Sequence, residues 1–265
     1  MRIVNKGANP ESGVNGITIR HAAGFTLVEL AVVLLILGLL LGGLLMPLST
    51  QLDQQSIKDT QRKLDEIKEA LIGFSLANGR LPCPADGATP SGSSGSGEES
   101  YNSTTGQCNI TTDGVVPWAT LALPETDAWG RRFTYRVRQD WADQVNPAAS
   151  ATADCTEVAA NASFALCSEG NITVKDGSGP SGKNVATNVP ALIASHGKNG
   201  YGAYLPNGTR LPLSGDSDEQ ENADNDATFV SRSPGKYPDD PYDDQVVWIS
   251  PSILKNRMVQ AGKLP

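Results

Sequence analysis

AAGFTLVELAVVLLILGLLLGGLLMPLSTQL, residues 22–52, contains one charged side chain, Glu29, and none from Leu30 to Leu52. About 20 apolar residues suffice to cross a hydrocarbon core of about 30 Å. This run is longer and shows no polar stripe, whereas a core helix of a globular domain normally has one. Before it, Arg2, Lys6 and Arg20 face a single acid, Glu11. Positive residues stay cytoplasmic, so the N-terminus is expected inside and everything after Leu52 outside. A secretory signal peptide is the competing reading. Its apolar core is usually only about 7–15 residues and ends in a small-residue cleavage site; neither feature is evident, so the segment is expected to stay. Glu29 is the anomaly. A carboxylate in hydrocarbon costs about 2.5–3.5 kcal/mol even on the lenient insertion scale. It therefore predicts a partner, and nothing nearby in the same helix offers one.

Beyond Leu52 the pattern becomes one-sided. Ile57, Leu64, Ile67, Leu71 and Phe74 recur at helical spacing among charged residues, which predicts an amphipathic continuation. Asn78-Gly79 is a stop signal and Pro82 forbids continuation. Gly42-Gly43 and Pro47 are expected to bend or locally melt the helix. From about Leu81 to Pro265 the chain reads as a loop-rich body with short strands. The strict alternation in Arg132–Arg138 puts Phe133, Tyr135 and Val137 on a buried face, and Asp127-Ala128-Trp129-Gly130 before it reads as a turn. Further strand candidates are Phe164–Cys167, Ile172–Lys175, Ala191–Ser195 and Gln245–Ile249. A helix is expected over Pro251–Gln260, with Ser250 as cap and Gly262 just beyond. The fold class is α+β: a long N-terminal helix laid on an antiparallel sheet with long loops.

Cys83, Cys108, Cys155 and Cys167 all follow the apolar segment. An even count in an exported domain suggests disulfides, and sequential pairing closes the shortest loops. Zinc is disfavoured because no C-x-x-C occurs. The net charge of −8 and pI of about 4.8 argue against nucleic acid, which needs a basic stripe. GSGPSGKN, residues 177–184, nearly spells a phosphate-binding loop, but Asn184 stands where a Ser or Thr must reach magnesium and no helix pattern follows. The two histidines, His21 and His196, support no Ser/His/Asp or Cys/His arrangement by spacing. His196 sits in a Gly/Asn turn and reads as structural, and the four tryptophans read as core. No enzyme is expected. Asp216, Asp218, Glu219, Glu221, Asp224 and Asp226 crowd one short loop, and Asp239, Asp240, Asp243 and Asp244 follow. Crowded carboxylates are either a solvated loop or a calcium site, and the spacing does not fit an EF-hand.

Ala22-Ala23-Gly24-Phe25-Thr26-Leu27-Val28-Glu29-Leu30, with the apolar run behind it, resembles the class III signal of type IV pilins and pseudopilins. The resemblance implies prepilin-peptidase cleavage between Gly24 and Phe25, N-methylation of Phe25, and pairing of Glu29 with a neighbouring subunit's terminal ammonium during assembly. Removing 24 of the 265 residues would leave 241, more than most major subunits have. The implied divisions are a leader (1–24), a transmembrane and filament-core helix (25–52), its amphipathic half (53–80) and a periplasmic or extracellular pilin-like domain (81–265). A looser resemblance to the major pseudopilin of type II secretion runs through Asp127–Gly130, the aromatic strand, Ser195–Gly200 and the acidic loop. It implies structural calcium, with Asp216, Asp218, Asp224 and Asp226 as ligands and no other cofactor. The implied function is that of a structural subunit, a minor pilin or pseudopilin, whose partners are the peptidase, other subunits and the inner membrane. The alternative is a membrane-anchored periplasmic binding or catalytic domain on a pilin-like anchor.

Overall fold

The computed structural model describes residues 24–145, 155–157, 159–235 and 239–265, with 41–50 described for their backbone alone. It divides into two compact units, Met1–Thr50 and Gln51–Pro265. In the first unit the helix α1 begins; its full span is Leu27–Asn78. The helix is unbroken through Gly42, Gly43 and Pro47, where the sequence predicts a bend or melting. A proline deletes one rung of the hydrogen-bond ladder and leaves its neighbours in place. Every residue from Gly24 to Leu40 is exposed, Phe25 at 83% and Leu27 at 87%.

In the second unit the elements after α1 are β1 (Tyr101–Asn102), β2 (Gln107–Cys108), β3 (Gly114–Val115), α2 (Trp118–Leu121), β4 (Thr134–Val137), β5 (Ile172–Lys175), β6 (Asn184–Val189), β7 (Ala191–Ser195), α3 (Ser217–Glu221), β8 (Thr228–Val230), β9 (Gln245–Ile249) and α4 (Pro251–Gln260). A four-stranded antiparallel sheet runs β3-β4-β7-β9, and a three-stranded sheet runs β6-β5-β8. Here the expectation of one antiparallel sheet is corrected: among the described residues there are three sheets, the smallest the β1–β2 pair, and the β5–β8 pair is parallel.

The layers follow from the side-chain alternation. Tyr135, Ile193 and Ile249 face Leu64, Ile67 and Leu71 of α1 together with Leu254 and Met258 of α4. Leu192 and Ala194 face Ile172, Val174, Val189 and Phe229 of the second sheet. β7 is thus buried on both faces, which is why it reads as a continuous apolar run. β4 is buried at all four positions for the same reason, although its sequence alternates. The helix stop is Gly79, whose φ of 75° suits glycine and whose N–H reaches Ser75 O at 2.8 Å.

Phe164–Cys167 is not a strand. The Ser168 hydroxyl accepts from Ala165 N at 2.9 Å and Ser168 N reaches back to Ala165 O, a local turn that competes with sheet pairing. Phe164 still reaches the core, stacked on Trp141 at 4.0 Å between centroids. Trp141 is fully buried, whereas Trp118, Trp129 and Trp248 are half-buried. Cys83 is bonded to Cys108 and Cys155 to Cys167, the sequential pairing.

Two stability outcomes follow. The Cys83–Cys108 bond closes a 25-residue separation, and loop-closure entropy at that length is about 3 kcal/mol. The double replacement by serine is expected to lower the unfolding free energy by that amount, read as a fall of about 1–3 M in the urea midpoint at a slope of about 1–3 kcal/mol/M. Asp143 Oδ1 is buried without a hydrogen-bond partner. Burial, and then the charge of Asp140, lifts its pKa from 3.8 to about 6. A carboxylate raised in the folded state contributes stability that is complete below its unfolded pKa and lost as pH rises through the folded one. Asp143→Asn should therefore raise the thermal midpoint at pH 8 and leave it unchanged at pH 3.

Candidate functional site

Two places gather chemistry, one in each unit. At the start of α1, Thr26 and Glu29 form a capping box. Thr26 N donates to Glu29 Oε2 at 2.9 Å, Thr26 Oγ1 donates to the same oxygen at 2.9 Å, and Glu29 N donates to Thr26 Oγ1 at 3.2 Å. This corrects the sequence reading that left Glu29 without a partner in its own helix. The signal was legible, because Thr-x-x-Glu ahead of an apolar run is the capping-box pattern. Gly24 and Phe25 precede the first helical turn, exposed and without packing around Gly24. A peptide bond there is open to an enzyme, whereas one inside the helix is not. The rest of the expected leader, residues 1–23, lies outside the described residues. Among the described residues no helix is long and apolar enough to cross a membrane; the expected span includes 41–50, whose side chains lie outside that set.

The second place is acidic and buried. The loop carboxylates expected to act together are each committed elsewhere. Asp216 caps α3, accepting from Asp218 N and Glu219 N. Asp218 is held by Ser178 and by Arg232 Nε at 2.6 Å. Asp224 accepts from Asp226 N, and Asp226 from Thr228 N, as ordinary turn contacts. Their side chains do not converge.

Glu219, Asp243 and Asp244 do converge, with one oxygen from each lying within 4.8 Å of the others. α3 delivers Glu219, and the segment entering β9 delivers the two aspartates. Glu219 and Asp244 are buried. Glu219 takes hydrogen bonds from Ser214 Oγ at 2.5 Å and from Asn199 Nδ2, and Asp244 takes one from Asn222 Nδ2 at 2.8 Å. Asp243 Oδ2 accepts from Lys198 N and Asn199 N, but its buried Oδ1 has no partner. Gly197, at φ 55°, gives that carboxylate room: a Cβ there would meet Asp243 Oδ1 at 2.2 Å. Burial lifts Asp243 to about 6, with Glu219 adding to the rise. Burial also lifts Asp244 well above the usual carboxylate range, helped by Glu219 and Asp243.

His196 borders this cluster. Its Nε2 lies 2.8 Å from Thr134 Oγ1, a structural contact, while Nδ1 has no hydrogen bond and lies 4.0 Å from Asp244 Oδ2. Burial, then Arg210 and Arg131, pushes its pKa down to about 4, so at neutral pH it brings no charge to offset the acids. Lys198 is not free to serve the cluster, because its Nζ pairs with Asp53 at 2.8 Å. Among the described residues a cavity of about 460 Å³ opens beside Asp243, lined also by Lys198, Asn199 and Tyr242. The group offers three of the oxygen ligands that a hard divalent cation takes. Proximity in the chain is not proximity in space: Asp216, Asp218, Asp224 and Asp226 turn to separate local partners, whereas Asp243 and Asp244 of the second acidic group meet Glu219. The near-phosphate loop at 177–184 leads into β6 rather than a helix, so it is a turn.

No curated protein and no solved structure matches the chain. Residues 19–45, which include the capping box and the Gly24–Phe25 bond, match the family model described as the prokaryotic N-terminal methylation motif; the chain carries the class III prepilin signal of type IV pilins and pseudopilins.

Proposed function

We propose that this chain is a structural subunit of a type IV pilin-like filament, a minor pilin or a pseudopilin. In this reading it enters the inner membrane with its N-terminus cytoplasmic and is cleaved between Gly24 and Phe25. It is then methylated on Phe25 and drawn into a fibre. The carrying observation is the coincidence of the methylation motif with a helix start whose apolar residues are exposed all round. Such a helix is satisfied by lipid or by copies of itself. Cleavage frees an ammonium at Phe25, and methylation keeps its charge. A carboxylate and an amine that leave water together offset each other's desolvation, which supports Glu29 as the register contact to the next subunit. The protein itself carries out no reaction in this reading; it is the substrate of one.

N-terminal mass spectrometry of sheared surface filaments and of cell envelopes tests it. A chain starting at methylated Phe25 in the sheared fraction is expected of a surface pilin. The same terminus confined to envelopes points to a pseudopilin. An intact leader in both fractions sinks the proposal. Glu29→Gln should still be cleaved, yet fall at least tenfold in the filament fraction.

The outer domain is proposed to hold a structural calcium ion through Glu219, Asp243 and Asp244. A bound divalent cation would supply the positive charge that three converging carboxylates lack. Calcium at 100 times its dissociation constant adds about 2.7 kcal/mol, or about 5–10 °C in a domain of this size. Asp244→Asn is expected to melt higher than the parent in chelator and to show no calcium shift. A parent melt indifferent to calcium would remove the site.

A further inference from the structure

The two oxygens of Asp243 face different tasks. Oδ2 accepts from Lys198 N at 3.0 Å and from Asn199 N at 3.1 Å, whereas Oδ1 is buried without a partner. His196 is buried as well, and its unpartnered Nδ1 lies 4.0 Å from Asp244 Oδ2. Two unpartnered polar atoms buried beside three carboxylates point to a ligand. The loop after β7 hangs on the same aspartate. Lys198 is fixed on both sides of its Cα, because its N–H reaches Asp243 and its carbonyl accepts from Arg131 Nη2 at 2.7 Å. From that root the side chain crosses to α1, where Nζ meets the two oxygens of Asp53 at 2.8 and 3.0 Å.

Along α1 no residue from Gln51 to Asp59 is buried, and Thr60 is the first that is. Thr60 Oγ1 accepts from Ala128 N at 3.2 Å, and Lys63 Nζ donates to Thr126 O at 2.9 Å. The Asp53 contact therefore extends the seat of the helix by about two turns toward its N-terminus. Only this extension is rooted in the loop that grips Asp243; the 126–128 turn carries none of the three clustered acids.

We propose that a divalent cation held by Glu219, Asp243 and Asp244 clamps the 51–59 stretch of α1 to the globular unit through Lys198. The inference rests on the cation reading of those carboxylates and names what their occupancy controls. An ion on Asp243 Oδ1 holds the carboxylate where Oδ2 grips Lys198 N and Asn199 N, and hydrogen bonds to a charged acceptor are the strong ones. A fixed root leaves the long lysine side chain less entropy to lose on pairing. Without the ion the three acids repel one another, the grip on the loop loosens and the pair opens more often. The Lys198 and Asp53 side chains are 61% and 44% exposed, and exposed pairs are weak, so the ion tunes this contact by a small factor.

Hydrogen exchange read by mass spectrometry on the full chain in detergent, with calcium and with chelator, tests this. Thermal midpoints are taken on the same samples. In the parent, calcium is expected to slow exchange over residues 51–59 by about three- to fivefold, the range an exposed pair supports. Lys198→Met keeps the stem and removes the charge. It is expected to keep the calcium rise in midpoint and to lose the protection of 51–59, and Asp53→Asn is expected to do the same from the helix side. A midpoint that rises with calcium while exchange over 51–59 stays unchanged overturns the clamp and leaves the site. Protection that survives in both variants overturns the clamp as well. So does loss of the midpoint rise in both, since the pair would then support the site instead of responding to it. A midpoint and an exchange pattern both indifferent to calcium remove the site and the clamp together.

Discussion

An apolar helix surface with nothing among the described residues to cover it is the constraint on which the rest depends. Twelve large apolar side chains between Phe25 and Leu40 are exposed. At about 1.5–3 kcal/mol for each full burial, this leaves on the order of 20–35 kcal/mol of hydrophobic stabilisation unmade. A whole domain is typically stable by only about 5–15 kcal/mol. The segment therefore has to be covered by something else, and lipid and a bundle of like helices are the two environments that suit it. A methylation motif at that spot is consistent with a chain that uses both, one after the other.

The globular unit solves a different problem, which is how to cover a sheet on two sides with limited apolar material. α1 and α4 cover one face and the β6-β5-β8 sheet covers the other. This three-layer arrangement lets β7 be buried throughout and places the segment entering β9 against α3. That convergence brings Glu219 to Asp243 and Asp244. A cluster of like charges under a protein surface is costly unless compensated, and the raised pKa values of the two aspartates express the same strain.

How much of this was legible in the sequence depends on range. Contacts within one turn of chain were readable: Ala191–Ser195, Gln245–Ile249 and Pro251–Gln260 stand where their patterns put them, and Asn78-Gly79 ends the helix. Phe164–Cys167 looked like a strand because its composition is apolar, but Ser168 folds it into a turn. β6 was missed because Asn184, Thr187 and Asn188 give it no apolar alternation, as befits a strand on an exposed edge. Asp216, Asp218, Asp224 and Asp226 share a loop in sequence, but local turns and Arg232 consume them. Glu219 meets Asp243 only through the packing of α3 beside β9, which no local pattern encodes. The Thr26–Glu29 pair is written in the sequence as Thr-x-x-Glu ahead of an apolar run, a neutral partner for a charged residue.

That pair has a thermodynamic consequence. Glu29 already holds the amide and hydroxyl of Thr26, so in a filament it would exchange one set of donors for another. The gain from joining a fibre is then the difference between two satisfied states and not the full strength of the new contact. A difference of that kind is small and reversible, as the proposed passage from membrane to fibre would require.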